Sequence, residues 1–252
     1  MGFFSKVFEK KVCSVCGGEI GLLGNRKLED GNLCKNCAGK LSPFFSDRRS
    51  STVEQIKAQL AYREDNQKEV AAFHTTLSLG DDTKVLIDED AGKFMVTRAR
   101  DLAAANPDVI AFSQVTGCDL DIDEDTEEEE REDAEGNRVS YDPPRYHYRY
   151  DFYVKIRVNH PYFDEIQVQL NDTAVETTDG TAVPAARKPD PRMNTDYREY
   201  EEMGRQIKEI LTNARQQARD AAAPKAAVTC PYCGATTTPD AAGRCEYCGA
   251  SL

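Results

Sequence analysis

Eight of the nine cysteines fall into four Cys-x-x-Cys pairs, and no other feature of the chain constrains its fold as strongly. The first two pairs are Cys13-Ser-Val-Cys16 and Cys34-Lys-Asn-Cys37, with 17 residues between them. The last two are Cys230-Pro-Tyr-Cys233 and Cys245-Glu-Tyr-Cys248, with 11 between them. Two thiolates two residues apart grip one ion from a tight turn. Two such turns supply four sulfurs at tetrahedral angles, which is a closed structural zinc site. Glycine follows Cys16, Cys233 and Cys248, where a metal-binding turn calls for a residue that reaches positive φ cheaply. The pattern therefore predicts two structural zinc ions. One is held by Cys13, Cys16, Cys34 and Cys37, the other by Cys230, Cys233, Cys245 and Cys248. The spacer 17–33 is glycine-rich and offers little for a core, so this end should depend on its metal to fold. A redox dithiol or a disulfide pair is the alternative reading of the first set.

Charged residues make up 30% of the 252 and apolar ones 40%, which fits a soluble globular chain of two or three small units. No apolar run approaches the roughly 20 residues that span a bilayer. The opening Met-Gly-Phe-Phe-Ser-Lys has no signal-peptide apolar region. Paired thiols kept available for metal imply a reducing compartment, so the expected location is the cytoplasm.

The net charge of -12 is concentrated in one place. Residues 119–135 hold 12 Asp or Glu and one Arg, leaving the rest of the chain near neutrality. Residues 1–63 hold 11 Lys or Arg against 6 Asp or Glu. A filled four-thiolate site carries a net negative charge, so this basic excess is mostly consumed locally, which weakens a nucleic-acid footprint there.

Along the chain, residues 1–11 place Phe3, Phe4, Val7 and Phe8 on one face of a short amphipathic helix, suited to docking on a neighbour or, weakly, on a membrane surface. Residues 12–49 form the first zinc module and 50–73 a helical bridge. In that bridge Ser51-Thr-Val-Glu54 is a capping-box pattern, and the polar run Arg63 to Glu69 reads as a break between two helices. From there the period changes to alternation. Short strands are expected at 75–79, 84–87, 93–97 and 108–112, with a turn at Asp88-Glu-Asp-Ala-Gly92. Cys118, Leu120 and Ile122 share one strand face, which makes Cys118 a buried core thiol. Strong half-buried strands follow at 148–158 and 166–170.

The acidic stretch 119–145 reads as a long solvated loop between two strands, disordered in part and able to attract a basic partner. Its Asp119-x-Asp121-x-Asp123 spacing superficially matches a calcium loop, but Glu124 stands where the turn glycine is required. Tyr197, Tyr200, Met203, Ile207, Ile210, Leu211, Ala214 and Ala218 stripe a helix over 195–220 that should cap the sheet domain 74–220. A linker, 221–229, leads to the zinc ribbon at 230–252. The expected fold class is therefore α+β multidomain. A four-cysteine zinc module precedes an antiparallel β sandwich or partly open barrel of six or seven strands with a capping helix, and a zinc ribbon follows.

The residues Cys13-Ser-Val-Cys16-Gly-Gly-Glu-Ile-Gly-Leu-Leu-Gly, with Asp30-Gly-Asn-Leu-Cys34-Lys-Asn-Cys37, resemble an uncharacterised zinc-binding module at the start of bacterial proteins. The span 73–218 resembles bacterial pleckstrin-homology-like domains, and Asp108-Val-Ile-Ala-Phe-Ser-Gln-Val115 is similar to their middle-strand pattern. Neither resemblance implies a reaction, and pleckstrin-like domains bind lipids in some lineages and proteins in others.

His74, His147 and His160 sit in different segments, and no phosphate-binding glycine loop or nucleophile elbow occurs. With all eight paired cysteines used to close two sites, no open metal position remains. The expectation is a non-catalytic interaction or adaptor protein that binds a protein partner. The alternatives are a nucleic-acid-associated ribbon protein, or weak membrane association through the first helix. Direct nucleic-acid contact is disfavoured because residues 221–252 hold only Lys225 and Arg244 as basic groups.

Overall fold

The computed structural model describes residues 11–222, 227–240 and 243–252. The helix expected over 1–11 lies outside these residues, except for Lys11. The chain divides into two compact units, residues 1–215 and 216–252.

The first unit begins with two small antiparallel hairpins. Strand β1 (Lys11–Val12) pairs with β2 (Glu19–Ile20), and β3 (Arg26–Lys27) pairs with β4 (Asn32–Leu33). A one-turn helix α1 (Lys35–Ala38) follows. Ile20, Leu28, Leu33 and Leu41 are buried together with Ile56 of α2 (Val53–Ala72). The spacer between the first cysteine pairs therefore does contribute apolar core, because α2 supplies the cover that the short segment lacks by itself.

Helix α2 is continuous over 20 residues. The break expected at Arg63–Glu69 does not occur, because Arg63 and Asn66 are buried and fully partnered and so form part of the inner face. Its capping box is Thr52 with Gln55, one residue later than the sequence suggested. Gln55 N–H donates to Thr52 Oγ1 at 3.3 Å and Thr52 N–H to Gln55 Oε1 at 2.8 Å.

Two antiparallel sheets and a helix then enclose the main core. The first sheet runs in the order β5 (Leu77–Leu79), β6 (Lys84–Asp88), β7 (Lys93–Thr97), β8 (Ile110–Ala111), with the short helix α3 (Leu102–Ala105) before β8. The second sheet is built on one long strand. Strand β9 (Val115–Glu132) lies along one side of β10 (Arg138–Val158). Strands β11 (Glu165–Gln169), β12 (Val175–Glu176) and β13 (Val183–Pro184) pair with β10 at successive positions. Among the described residues neither sheet closes on itself. Helix α4 (Thr195–Ala222) follows.

Val85, Ile87 and Phe94 from the first sheet, Phe152, Val154, Ile156 and Val168 from the second, and Tyr197, Ile207 and Leu211 from α4 belong to one buried cluster. Each fully buried side chain of this size contributes about 1.5–3 kcal/mol. Cys118 lies in the same cluster, as its strand position predicts.

The acidic stretch is not a loop. Strands β9 and β10 continue past the core as a two-stranded ribbon and close at Asp133, whose Oδ1 accepts the N–H groups of Glu135 and Asn137 at 2.9 Å each. Across the ribbon Asp125 faces Arg149, Glu127 faces His147 and Glu129 faces Arg145. Arg149 and Arg145, standing across the ladder from Asp125 and Glu129, offset part of the repulsion that would otherwise favour a solvated coil. Leu120 and Ile122 sit in regular strand register, opposite Val154 and Phe152, which removes the calcium-loop reading.

In the second unit β14 (Val228–Thr229) pairs with β15 (Thr236–Thr237), and Arg244 bridges to Ser251.

Candidate metal centres

Three of the four Cys-x-x-Cys turns share one backbone geometry. Gly17 N–H donates to Cys13 O at 2.9 Å, Gly234 to Cys230 O at 2.9 Å and Gly249 to Cys245 O at 2.8 Å. The N–H of the first cysteine of each turn donates in return to the carbonyl of the residue that follows the glycine: Cys13 to Gly18 O, Cys230 to Ala235 O and Cys245 to Ala250 O. The three glycines have φ of 72°, 72° and 70°, a conformation other residues enter only with strain. The fourth pair is built differently. Cys34 caps the N-terminus of α1 and its Sγ accepts the Cys37 N–H at 3.4 Å, while the Cys34 N–H donates to Cys13 Sγ at 3.3 Å.

Each set of four sulfurs lies within 4.8 Å. Cys16 and Cys34 Sγ are 3.8 Å apart, Cys230 and Cys248 3.6 Å, and Cys233 and Cys245 3.7 Å. A tetrahedron with zinc–sulfur arms of about 2.3 Å has edges of about 3.8 Å, so both sets fit one such ion. A disulfide requires about 2.05 Å, and all nine cysteines are free. Cys13, Cys37, Cys230 and Cys245 are buried, whereas Cys16, Cys233 and Cys248 are exposed. Four protein sulfurs complete a tetrahedral shell, which leaves no place for a reacting water or substrate.

The thiols within each set are not equivalent. Burial pushes Cys13 up, but the N–H groups of Cys16, Cys34 and Val15 outweigh it and bring its pKa to about 6. Burial likewise opposes ionisation of Cys230, and the N–H groups of Cys233 and Tyr232 bring it to about 7. Cys37 is held protonated by burial and by its sulfur neighbours. A metal ion binding here displaces the remaining protons.

The other sequence candidates do not join a centre. Cys118 stands apart in the core, its pKa pushed up to about 12 by burial and then by the Asp119 charge. His147 Nδ1 lies 2.9 Å from Glu176 Oε1, and His160 stacks on Phe163 with ring centroids 4.0 Å apart. Two other clusters escaped sequence reasoning. One is the buried polar junction around Arg63 and Asp108. The other is a basic hollow lined by Arg26, Lys27, Arg48 and Arg49. Their members come from separate stretches of the chain, so no local pattern joins them.

A model for a domain of unknown function, DUF4428, matches residues 11–59. That span holds the first four-cysteine set and the first turns of α2. No curated protein and no solved structure matches the chain.

Proposed function

We propose that this chain is a non-catalytic, zinc-stabilised interaction protein that presents the β9–β10 ribbon to a basic protein partner. The ribbon carries the proposal. Residues 124–145 hold ten acidic and three basic side chains, and Glu127, Glu128 and Glu130 are exposed. Among the described residues strand β9 pairs only with β10, so its outer edge presents backbone groups beside those carboxylates. An acidic edge repels its own kind and accepts a cationic segment. The closed sulfur sets support structural rather than catalytic zinc.

The two open sheets followed by α4 are compatible with the resemblance to pleckstrin-homology-like domains, in which case the ribbon is an elongated hairpin on that scaffold. Eight thiols held for metal favour a reducing compartment, the cytoplasm. No helix among the described residues is long and apolar enough to cross a membrane. The scarcity of basic groups in residues 221–252 argues against nucleic acid as the partner of the second unit.

The test is titration of a labelled lysine-rich peptide with the zinc-loaded full chain, followed by fluorescence anisotropy. Changing Glu127, Glu128, Glu129 and Glu130 to Gln should weaken binding at least tenfold and flatten its salt dependence. Equal affinity in the two proteins counts against the ribbon as the binding face.

A further inference from the structure

The first four-cysteine module carries an apolar tip beside a cationic hollow. Leu22 and Leu23, on the turn between β2 and β3, are 86% and 93% exposed. The turn is closed by the Gly24 N–H donating to Gly21 O at 3.0 Å, so the leucines are displayed on fixed backbone. Arg26 Nη1 donates to Leu23 O at 3.4 Å, which places a guanidinium against the tip. Arg48 Nη1 donates to Lys27 O at 2.7 Å and ties the second pair of cations to the first. Arg26, Lys27, Arg48 and Arg49 line a hollow of about 710 Å³ in which Glu29 is the one carboxylate. Partial burial, and then the like charges of Arg49 and Arg26, disfavour the charged form of Arg48.

None of the four cysteines lines the hollow, whereas Lys40 and Lys57 line a different one together with Cys16 and Cys37. Four cations thus share their hollow with a single carboxylate, Glu29. A convex pair of leucines does not complement a rigid protein surface unless that surface has a matching cavity. A fluid apolar phase takes it without one. Apolar side chains just below the headgroups, with cations level with the phosphates, is the arrangement that holds peripheral proteins on anionic bilayers.

We propose that this module is a membrane-surface anchor: Leu22 and Leu23 enter the interface of an anionic bilayer while Arg26, Lys27, Arg48 and Arg49 bind lipid phosphate. The site is distinct from the β9–β10 ribbon, and the two proposals stand or fall separately.

The experiment is sedimentation of the zinc-loaded full chain with phosphatidylcholine vesicles, with and without phosphatidylserine. Binding is expected only to the anionic vesicles and should fall as salt is raised. L22S/L23S should reduce it at least tenfold, and K27Q/R49Q should reduce it by about fivefold for each cation removed. The four positions are exposed, so zinc content and melting should match the parent protein. No binding to anionic vesicles at low salt overturns the proposal. So does binding that L22S/L23S leaves unchanged. If K27Q/R49Q abolishes binding of heparin while L22S/L23S affects nothing, the hollow serves a soluble polyanion and the membrane assignment is wrong.

Discussion

Arg63 on α2 is ion-paired with Asp108, Nη1 to Oδ1 at 2.8 Å, and their side chains are only 7% and 0% exposed. Ser42 Oγ donates to the other Asp108 oxygen at 2.8 Å, and Tyr62 OH to Oδ1 at 3.1 Å. Arg63 also reaches the carbonyls of Lys40 and Asn106. One turn further along, Asn66 donates to Asn106 Oδ1 and to Pro107 O, each at 2.7 Å. The network thus joins the end of the first four-cysteine module, α2 and the segment leading into β8. Buried charges are tolerated there because nearly every donor and acceptor is used.

Removing one partner leaves the other charge buried and unpaired. Asp108→Ala should therefore destabilise the first unit by about 3–5 kcal/mol. Urea unfolding followed by circular dichroism will measure it. R63M/D108L should cost distinctly less than D108A alone, since replacing both charges removes the desolvation penalty.

Helix α4 approaches the second sheet at Gly204. A Cβ at that position would collide with Leu120 Cδ1 and lie 3.2 Å from Leu170 Cδ1. Gly→Ala in an exposed helix gains about 1 kcal/mol. Gly204→Ala should instead lose about 1–3 kcal/mol through overpacking. A rise in melting temperature would show that the helix shifts outward freely.

Where burial follows an apolar period, the sequence was sufficient. Tyr197, Ile207 and Leu211 of α4 and the alternation from Tyr148 to Val158 all point into the core as the pattern requires. The eight cysteines were legible because metal chemistry fixes their spacing. The ribbon was not, because beyond Ile122 strand β9 has carboxylates on both faces and no apolar side to reveal a period of two. Its partner residues lie on β10, which local patterns cannot see. Arg63 and Asn66 failed for a related reason. Their burial depends on Asp108 and Asn106, forty or more residues away in sequence.

Cys118 should give a measurable pH dependence. The unfolded chain releases this proton near the ordinary value of 9.0, and the folded chain only near about 12. Unfolding thus becomes easier as pH rises between those values, while below 9.0 this group has no effect. Comparing urea midpoints of the parent and C118V from neutral to alkaline pH isolates the effect. The parent should lose stability faster above pH 9, and parallel curves would refute a buried protonated thiol.

The ribbon tip should be dispensable for folding. Glu129 and Arg145 are directly paired, so replacing residues 130–144 by Asn-Gly joins two facing positions with a turn suited to a hairpin. Loop closure varies slowly with length, and stability should change by only about 1 kcal/mol. Thermal unfolding of the shortened protein checks this, and failure to fold would make the tip part of the core.

The most direct test of the account is metal stoichiometry with spectroscopic identification of the ligands. Protein purified without added chelator should contain two zinc ions per chain by elemental analysis, one for each four-cysteine set. Substitution with cobalt(II) should give the intense thiolate charge-transfer and tetrahedral ligand-field bands of two four-sulfur sites. Cys16→Ser should remove one ion and Cys233→Ser the other. A chain that holds fewer than two ions, or whose cobalt spectrum lacks four-thiolate character, would contradict the claim that closed metal centres organise this protein.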